Sequence, residues 1–173
     1  MRQTLLLLFL AMWPLQVKAS VSDVALSNVA RTCWLESTWR LDDCAAITRV
    51  LERRAARARV PLTEMAWRYS LNKTTPRAAY AQRLPAELSA TEMKRWNTLV
   101  GVVEATLARL IPDPCPGATH WGSPSRQLPD VERAARAIRE DRWRVVQCRT
   151  RTANIFYAET RKRVLRASVA GRL

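Results

Sequence analysis

The sequence has one histidine, His120, and no Cys-x-x-Cys pair among its four cysteines. Any imidazole chemistry must therefore use that one residue, and the paired-cysteine spacing of structural zinc sites is missing. Lysine is scarce: apart from Lys18, Lys73, Lys94 and Lys162, all the positive charge is arginine. Beyond the N-terminus no apolar run is long enough to cross a bilayer as a helix. There are no internal repeats. No nucleic-acid recognition motif accompanies the positive charge, which is spread along the chain.

The first nineteen residues have the parts of a secretory signal: Arg2, an apolar run from Leu5 to Trp13, and Val17-Lys18-Ala19 as small residues before a cleavage site. The run is too short for a membrane anchor and ends at Pro14. Removal of residues 1–19 leaves 154 residues, enough for one core-forming domain. These carry 27 basic and 15 acidic side chains, a net charge of +12. Such a chain expects polyanionic partners: an anionic wall polymer, an anionic membrane face or nucleic acid.

In an exported protein four cysteines imply two disulfides, with three possible pairings. The favoured pairing joins Cys33 to Cys44, the end of one helix to the start of the next, and Cys115 to Cys148 around a loop of about thirty residues. In the chain-entropy model the second closure is worth roughly 3 kcal/mol. The rival assignment is a zinc site combining His120 with cysteines; otherwise no cofactor is expected.

Apolar periodicity predicts a helix over 23–38, capped by Ser22 or Asp23, with Leu26, Val29, Ala30 and Cys33 as its stripe. A second helix, over 44–59, takes Asp42 or Asp43 as its cap and buries Ile47, Val50, Leu51 and Ala55. Arg49, Arg53, Arg54, Arg57 and Arg59 cover the rest of it, as a solvated face or one binding an anionic wall. A short helix over 62–69 and a long loop over 70–88 follow. Ser89-Ala90-Thr91-Glu92 is a capping box that opens the strongest helix, to about Leu110. Gly101 inside it marks close packing. Residues 115–122 are expected as a constrained loop, 130–140 as a short helix, and 143–148 with 155–157 as a small hairpin. Residues 159–173 form a basic tail. The fold class is mainly α, with this small C-terminal β element.

Three residues beyond Cys33, the stripe reaches Glu36. A carboxylate on an apolar helix face is costly to ionise, so it tends to hold its proton. Beside a cleft that makes a general acid for a glycosidic oxygen, whereas pairing with an arginine makes a structural ion pair. Tyr69, His120, Trp121, Asn154 and Tyr157 supply aromatic and amide groups suited to sugar rings and acetamido groups. His120 is equally suited to holding the loop after Cys115 by a hydrogen bond. Trp34, Trp67 and Trp96 sit in helical patterns and are expected in the core.

Glu36-Ser37-Thr38-Trp39 resembles the Glu-Ser motif of lytic transglycosylases and the wider lysozyme superfamily. Over about 120 residues the chain is similar to SleB-type cell-wall hydrolases. The match runs through an acidic residue near the end of helix one, then Cys44-Ala45-Ala46-Ile47-Thr48-Arg49-Val50-Leu51-Glu52-Arg53-Arg54. It continues with Gly117-Ala118-Thr119-His120-Trp121 and Asn154-Ile155-Phe156-Tyr157. The chain also resembles small exported proteobacterial proteins with His-Trp-Gly and Thr-x-Asn-x-Phe elements. The Gly-Leu-Met-Gln segment of lytic transglycosylases has no counterpart here.

The resemblance implies a lysozyme-like domain over 20–158 in a periplasmic or extracellular enzyme that cleaves peptidoglycan. Glu36 would be the acid, helped by Ser37, with Tyr69, His120, Trp121, Asn154 and Tyr157 as substrate contacts. No second carboxylate stands out, since Asp42 and Asp43 are explained as caps. A single-glutamate mechanism is therefore expected, in which the substrate's own hydroxyl attacks. The alternative is a non-catalytic basic module that binds wall glycan or an envelope protein. A further alternative is a basic protein that binds anionic lipid or nucleic acid.

Overall fold

The computed structural model describes residues 22–37, 40–72, 74–122 and 128–160. The expected signal segment, Thr38 and Trp39 of the Glu-Ser-like stretch, and the residues beyond 160 lie outside the described residues. The chain is mainly helical with a small antiparallel sheet. Its elements run α1 (Asp23–Glu36), α2 (Leu41–Ala58), α3 (Leu62–Ala66) continuing into a π-helical turn (Trp67–Leu71), α4 (Pro76–Gln82), α5 (Ala90–Leu107), β1 (His120–Gly122), α6 (Leu128–Arg139), β2 (Trp143–Val145) and β3 (Ile155–Glu159).

Helix α2 is the centre. Every residue from Asp43 to Leu51 is buried, and the helix packs on α1, α3 and α5. Ile47, Val50 and Leu51 are fully enclosed, as the periodicity predicts. They meet Val29, Ala30 and Cys33 of α1 and Leu99 and Val103 of α5 within one core cluster. Trp34 and Trp96 join that core with ring centroids 6.3 Å apart. Trp67 does not: it is exposed. It opens the π-helical turn, closed by the Asn72 N–H on its carbonyl at 2.8 Å, and Met65, Ala66 and Leu71 take the inward positions instead.

Local signals fix several ends. Ser22 caps α1 by accepting from the Ala25 N–H. The capping box of α5 forms in full, with Ser89 Oγ accepting from the Glu92 N–H and the Glu92 carboxylate accepting from the Ser89 N–H. That helix stops at Leu107, and Leu110 is exposed. Gly101 faces open space, so close packing does not account for it. The stretch 70–88 is not a plain loop. Thr75 caps α4 and Pro76 sits in its first turn, where its missing N–H costs nothing.

Neither Asp42 nor Asp43 caps α2. The helix starts at Leu41 after Arg40, and Asp43 points inward. Its other end turns through Arg59 at φ 55°, a left-handed residue that lets the chain leave toward Pro61.

Both favoured disulfides are present, Cys33–Cys44 with Cα atoms 5.0 Å apart and Cys115–Cys148 with 4.2 Å. They use all four cysteines, which removes the zinc alternative. The expected hairpin forms between β2 and β3, with Val145 opposite Tyr157. The stretch read as a constrained loop adds β1 to the other edge of β3, with His120 opposite Tyr157 and Trp121 opposite Phe156. Strand β3 continues through Glu159, one residue into the stretch assigned to the tail. No helix among the described residues is long and apolar enough to cross a membrane.

Ser89→Ala should lower the unfolding free energy by about 1 kcal/mol through loss of the cap. Leu51→Ala, at a fully enclosed position, should cost about 2–5 kcal/mol. Urea titrations of the two variants give this ranking directly.

Candidate active site

Three chain segments converge on the C-terminal end of α1. The last carbonyls of a helix have no partner within it. Here Ser37 Oγ donates to the Cys33 carbonyl at 2.6 Å, and the Ser37 N–H to the same oxygen at 2.9 Å. Arg77 Nη2, from α4, donates to the Leu35 carbonyl at 3.2 Å. Asn154 Nδ2, just before β3, donates to the Glu36 carbonyl at 3.0 Å. The Cys33–Cys44 bridge holds the same helix end to α2. Glu36 is partly exposed at the tip of this clamp. Ser37 is buried and spends its hydroxyl on the helix end, so it supports Glu36 from behind.

Asn154 is held in turn by Asp43. That carboxylate is fully enclosed and accepts the N–H groups of Ala153, at 3.1 and 3.3 Å, and Asn154, at 3.3 Å. A cap-like sequence position concealed this role. An aspartate in the first turn of a helix reads as a terminus signal, and its true partners lie 110 residues away.

The predicted aromatic residues form two further groups. Tyr69 and Trp121 pack with centroids 4.5 Å apart and their planes tilted by 36°, and the Arg54 guanidinium lies 4.3 Å from the Tyr69 ring centroid. Arg54 also donates to the Thr119 carbonyl at 3.2 Å. His120 lies 4.1 Å from the Trp143 ring, and Trp143 lies 5.7 Å from Tyr157. Side chains alternate along a strand, so Trp121 and Phe156 point to one face of the sheet and His120 and Tyr157 to the other. The structure thus pairs Glu36 with Asn154, Tyr69 with Trp121, and His120 with Tyr157. It does not gather all of them into one face.

His120 is mostly enclosed. Burial pushes its imidazole down to about 4, and Arg54 acts the same way, with Glu159 opposing. The ring is therefore neutral at neutral pH. Thr119 Oγ1 and His120 Nδ1 share a hydrogen bond of 3.0 Å. Burial likewise raises the Tyr157 phenol. These are features of a packed aromatic layer, and they suit His120 to holding the loop after Cys115.

Arg57 and Arg59 are exposed, but Arg49, Arg53 and Arg54 are not a solvated face. Arg49 is buried and donates to Glu52 at 2.9 Å and to the Ile111 carbonyl at 3.2 Å. Arg53 pairs with Asp113 and donates to the Ala118 carbonyl at 2.7 Å. Arg57 pairs with Glu159. Together with Arg54 they fasten the segment 111–119 and strand β3 to α2. Burial raises the Glu52 carboxyl to about 7, against the pull of Arg53. Glu52 also receives Arg49 and Arg109, each at 2.9 Å.

The chain matches no family model, no curated protein and no solved structure. The chemistry of the site must therefore be taken from its own residues. Among these, Glu36 is a partly exposed carboxylate on a helix end whose carbonyls are held by Ser37, Arg77 and Asn154.

Asp43→Asn keeps the side-chain shape but replaces one acceptor with a donor facing two N–H groups. It should cost about 2 kcal/mol in stability, read by urea titration. The His120 imidazole ionises less readily in the folded chain than in the unfolded one. Its contribution to stability is therefore complete above about 6.5 and lost as pH falls toward 4. The loss across this window should be on the order of 3 kcal/mol. His120→Gln should flatten that segment of the stability–pH curve, and an unchanged slope would place the titration elsewhere.

Proposed function

We propose that the protein is an exported peptidoglycan-cleaving enzyme of lysozyme-like type, with Glu36 as its single general acid and base. The observation that carries this is the clamp at the end of α1. A partly exposed carboxylate sits on a helix end whose final carbonyls are held by Ser37, Arg77 and Asn154. A proton donor must be held within a fraction of an ångström of its target to be effective, and a clamped backbone serves that need.

In the reaction, Glu36 gives its proton to the glycosidic oxygen as the bond to the anomeric carbon breaks. The resulting carboxylate then takes a proton from a hydroxyl of the same sugar as that oxygen closes on the anomeric carbon. The glutamate is restored and an anhydro-sugar end is left. If water attacks in place of the hydroxyl, the same residue serves a muramidase.

The two disulfides fit an oxidising compartment such as the periplasm or the cell exterior. Zymography on purified peptidoglycan tests the proposal. The wild-type protein should clear the substrate, and Glu36→Gln should lose activity by roughly a hundredfold or more. Clearing that persists in Glu36→Gln sinks the assignment. Glycan binding by a wild-type protein that never clears the substrate would favour a non-catalytic glycan-binding module.

A further inference from the structure

Arginines from two helices gather at His120, and none of them belongs to the groups that hold the end of α1. Arg54, from α2, donates to the Thr119 carbonyl at 3.2 Å. Arg57, nearly one turn later, pairs with one oxygen of Glu159, whose other oxygen stands 4.0 Å from His120 Nε2. Arg133 reaches the same place from α6. Burial does most to keep the imidazole neutral, Arg54 comes next, Arg133 and Arg57 act the same way, and Glu159 opposes them. Three guanidiniums against one carboxylate leave a surplus of two positive charges around this ring. Glu159 is taken up by Arg57, and no carboxylate of the described residues pairs with Arg54 or Arg133.

A charge surplus beside a mostly enclosed ring is felt strongly, because the local dielectric is low, and it favours an anion there. The donors suit a tetrahedral oxyanion. A guanidinium has five N–H groups. Arg54 spends one on the Thr119 carbonyl and is steadied by the Tyr69 ring, 4.3 Å away. The Thr119 hydroxyl has two acceptors in reach, His120 Nδ1 at 3.0 Å and the Tyr157 carbonyl at 3.5 Å. Donation to the nearer one leaves the imidazole proton on Nε2, which makes no hydrogen bond among the described residues. Guanidiniums and an imidazole N–H give an oxyanion forked, charge-assisted bonds and one further donor. A dianion balances the whole surplus, whereas a carboxylate or a phosphodiester balances half of it.

We infer that Arg54, Arg133 and His120 form a binding site for a tetrahedral dianion, the terminal phosphate of a phosphate monoester. The site uses neither Glu36 nor its supports, so it stands or falls apart from the proposed function. His120 is the one histidine of the sequence, and its imidazole therefore gives a single NMR signal that reports on the site directly. Slightly above neutral pH, where phosphate is mainly dianionic, inorganic phosphate should shift that signal saturably, and chloride at the same ionic strength should not. Sulfate, a dianion throughout the titration, should move the ionisation of the ring upward from about 4 by about 1 pH unit, because a bound anion favours imidazolium.

Arg133 is exposed, so Arg133→Gln should fold normally and bind phosphate roughly fivefold or more weakly. Arg139→Gln, at another exposed position of α6, should leave the affinity unchanged. Arg54→Gln should weaken binding as well, but it also removes the Thr119 bond, so the Arg133 variant carries the test. Glycerol 3-phosphate and vesicles containing phosphatidic acid, titrated in parallel, present the same group free and as a lipid headgroup, and the tighter binder names the source. A His120 signal that phosphate and sulfate leave where chloride leaves it overturns the site. Equal phosphate affinity in the wild-type protein and Arg133→Gln overturns it too.

Discussion

The arginines on one side of α2 hold the C-terminal half of this molecule to its helical core. Arg49, Arg53, Arg54 and Arg57 direct their guanidiniums at the carbonyls of Ile111, Ala118 and Thr119 and at the carboxylates of Glu52, Asp113 and Glu159. A loop rich in proline has few N–H groups with which to pair its own carbonyls. Side-chain donors from the neighbouring helix fill that gap. The opposite side of α2 is ordinary core, with Ile47, Val50 and Leu51 enclosed by α1 and α5. One helix thus binds apolar partners on one side and backbone carbonyls on the other, and the sheet takes its position from it.

The candidate site depends on the same arrangement. With β3 fastened to α2, Asp43 can accept the N–H groups of Ala153 and Asn154, and Asn154 can reach the Glu36 carbonyl. The Cys33–Cys44 bridge joins the two helices beside this contact, and Cys115–Cys148 ties the loop before β1 to the segment after β2. Neither bridge touches the chemistry. Each removes a way for the helix end or the sheet to move.

Part of this was legible in the sequence because its causes are local. The stripe Val29, Ala30 and Cys33 follows the helical period. Ser89 and Glu92 sit three residues apart, and the cysteine pairs join neighbouring elements. Thr75 followed by Pro76 was also a local helix start, within a stretch that its prolines and lack of a clear period disguised as loop. Strand β1 was harder to see. Three residues, His120 to Gly122, have no periodicity of their own and become a strand only because β3 offers an edge.

The sequence by itself determined the helical class, the helix start at Ser89 and the position of Glu36 on a helix face, since each follows from spacing along the chain; the structure chose among the three disulfide pairings. Only the tertiary structure decided which charged groups are spent inside. Asp43 looked like a cap and is a buried acceptor. Arg49, Arg53 and Arg54 looked like a solvated face and are fasteners. Trp67 looked like core and is exposed. It also divided the candidate residues, setting His120 and Tyr157 on the face of the sheet opposite Trp121. The physical reason is that a charge or a ring is placed by partners distant in sequence: Asp43 meets its acceptor role 110 residues away, and no local pattern records that meeting.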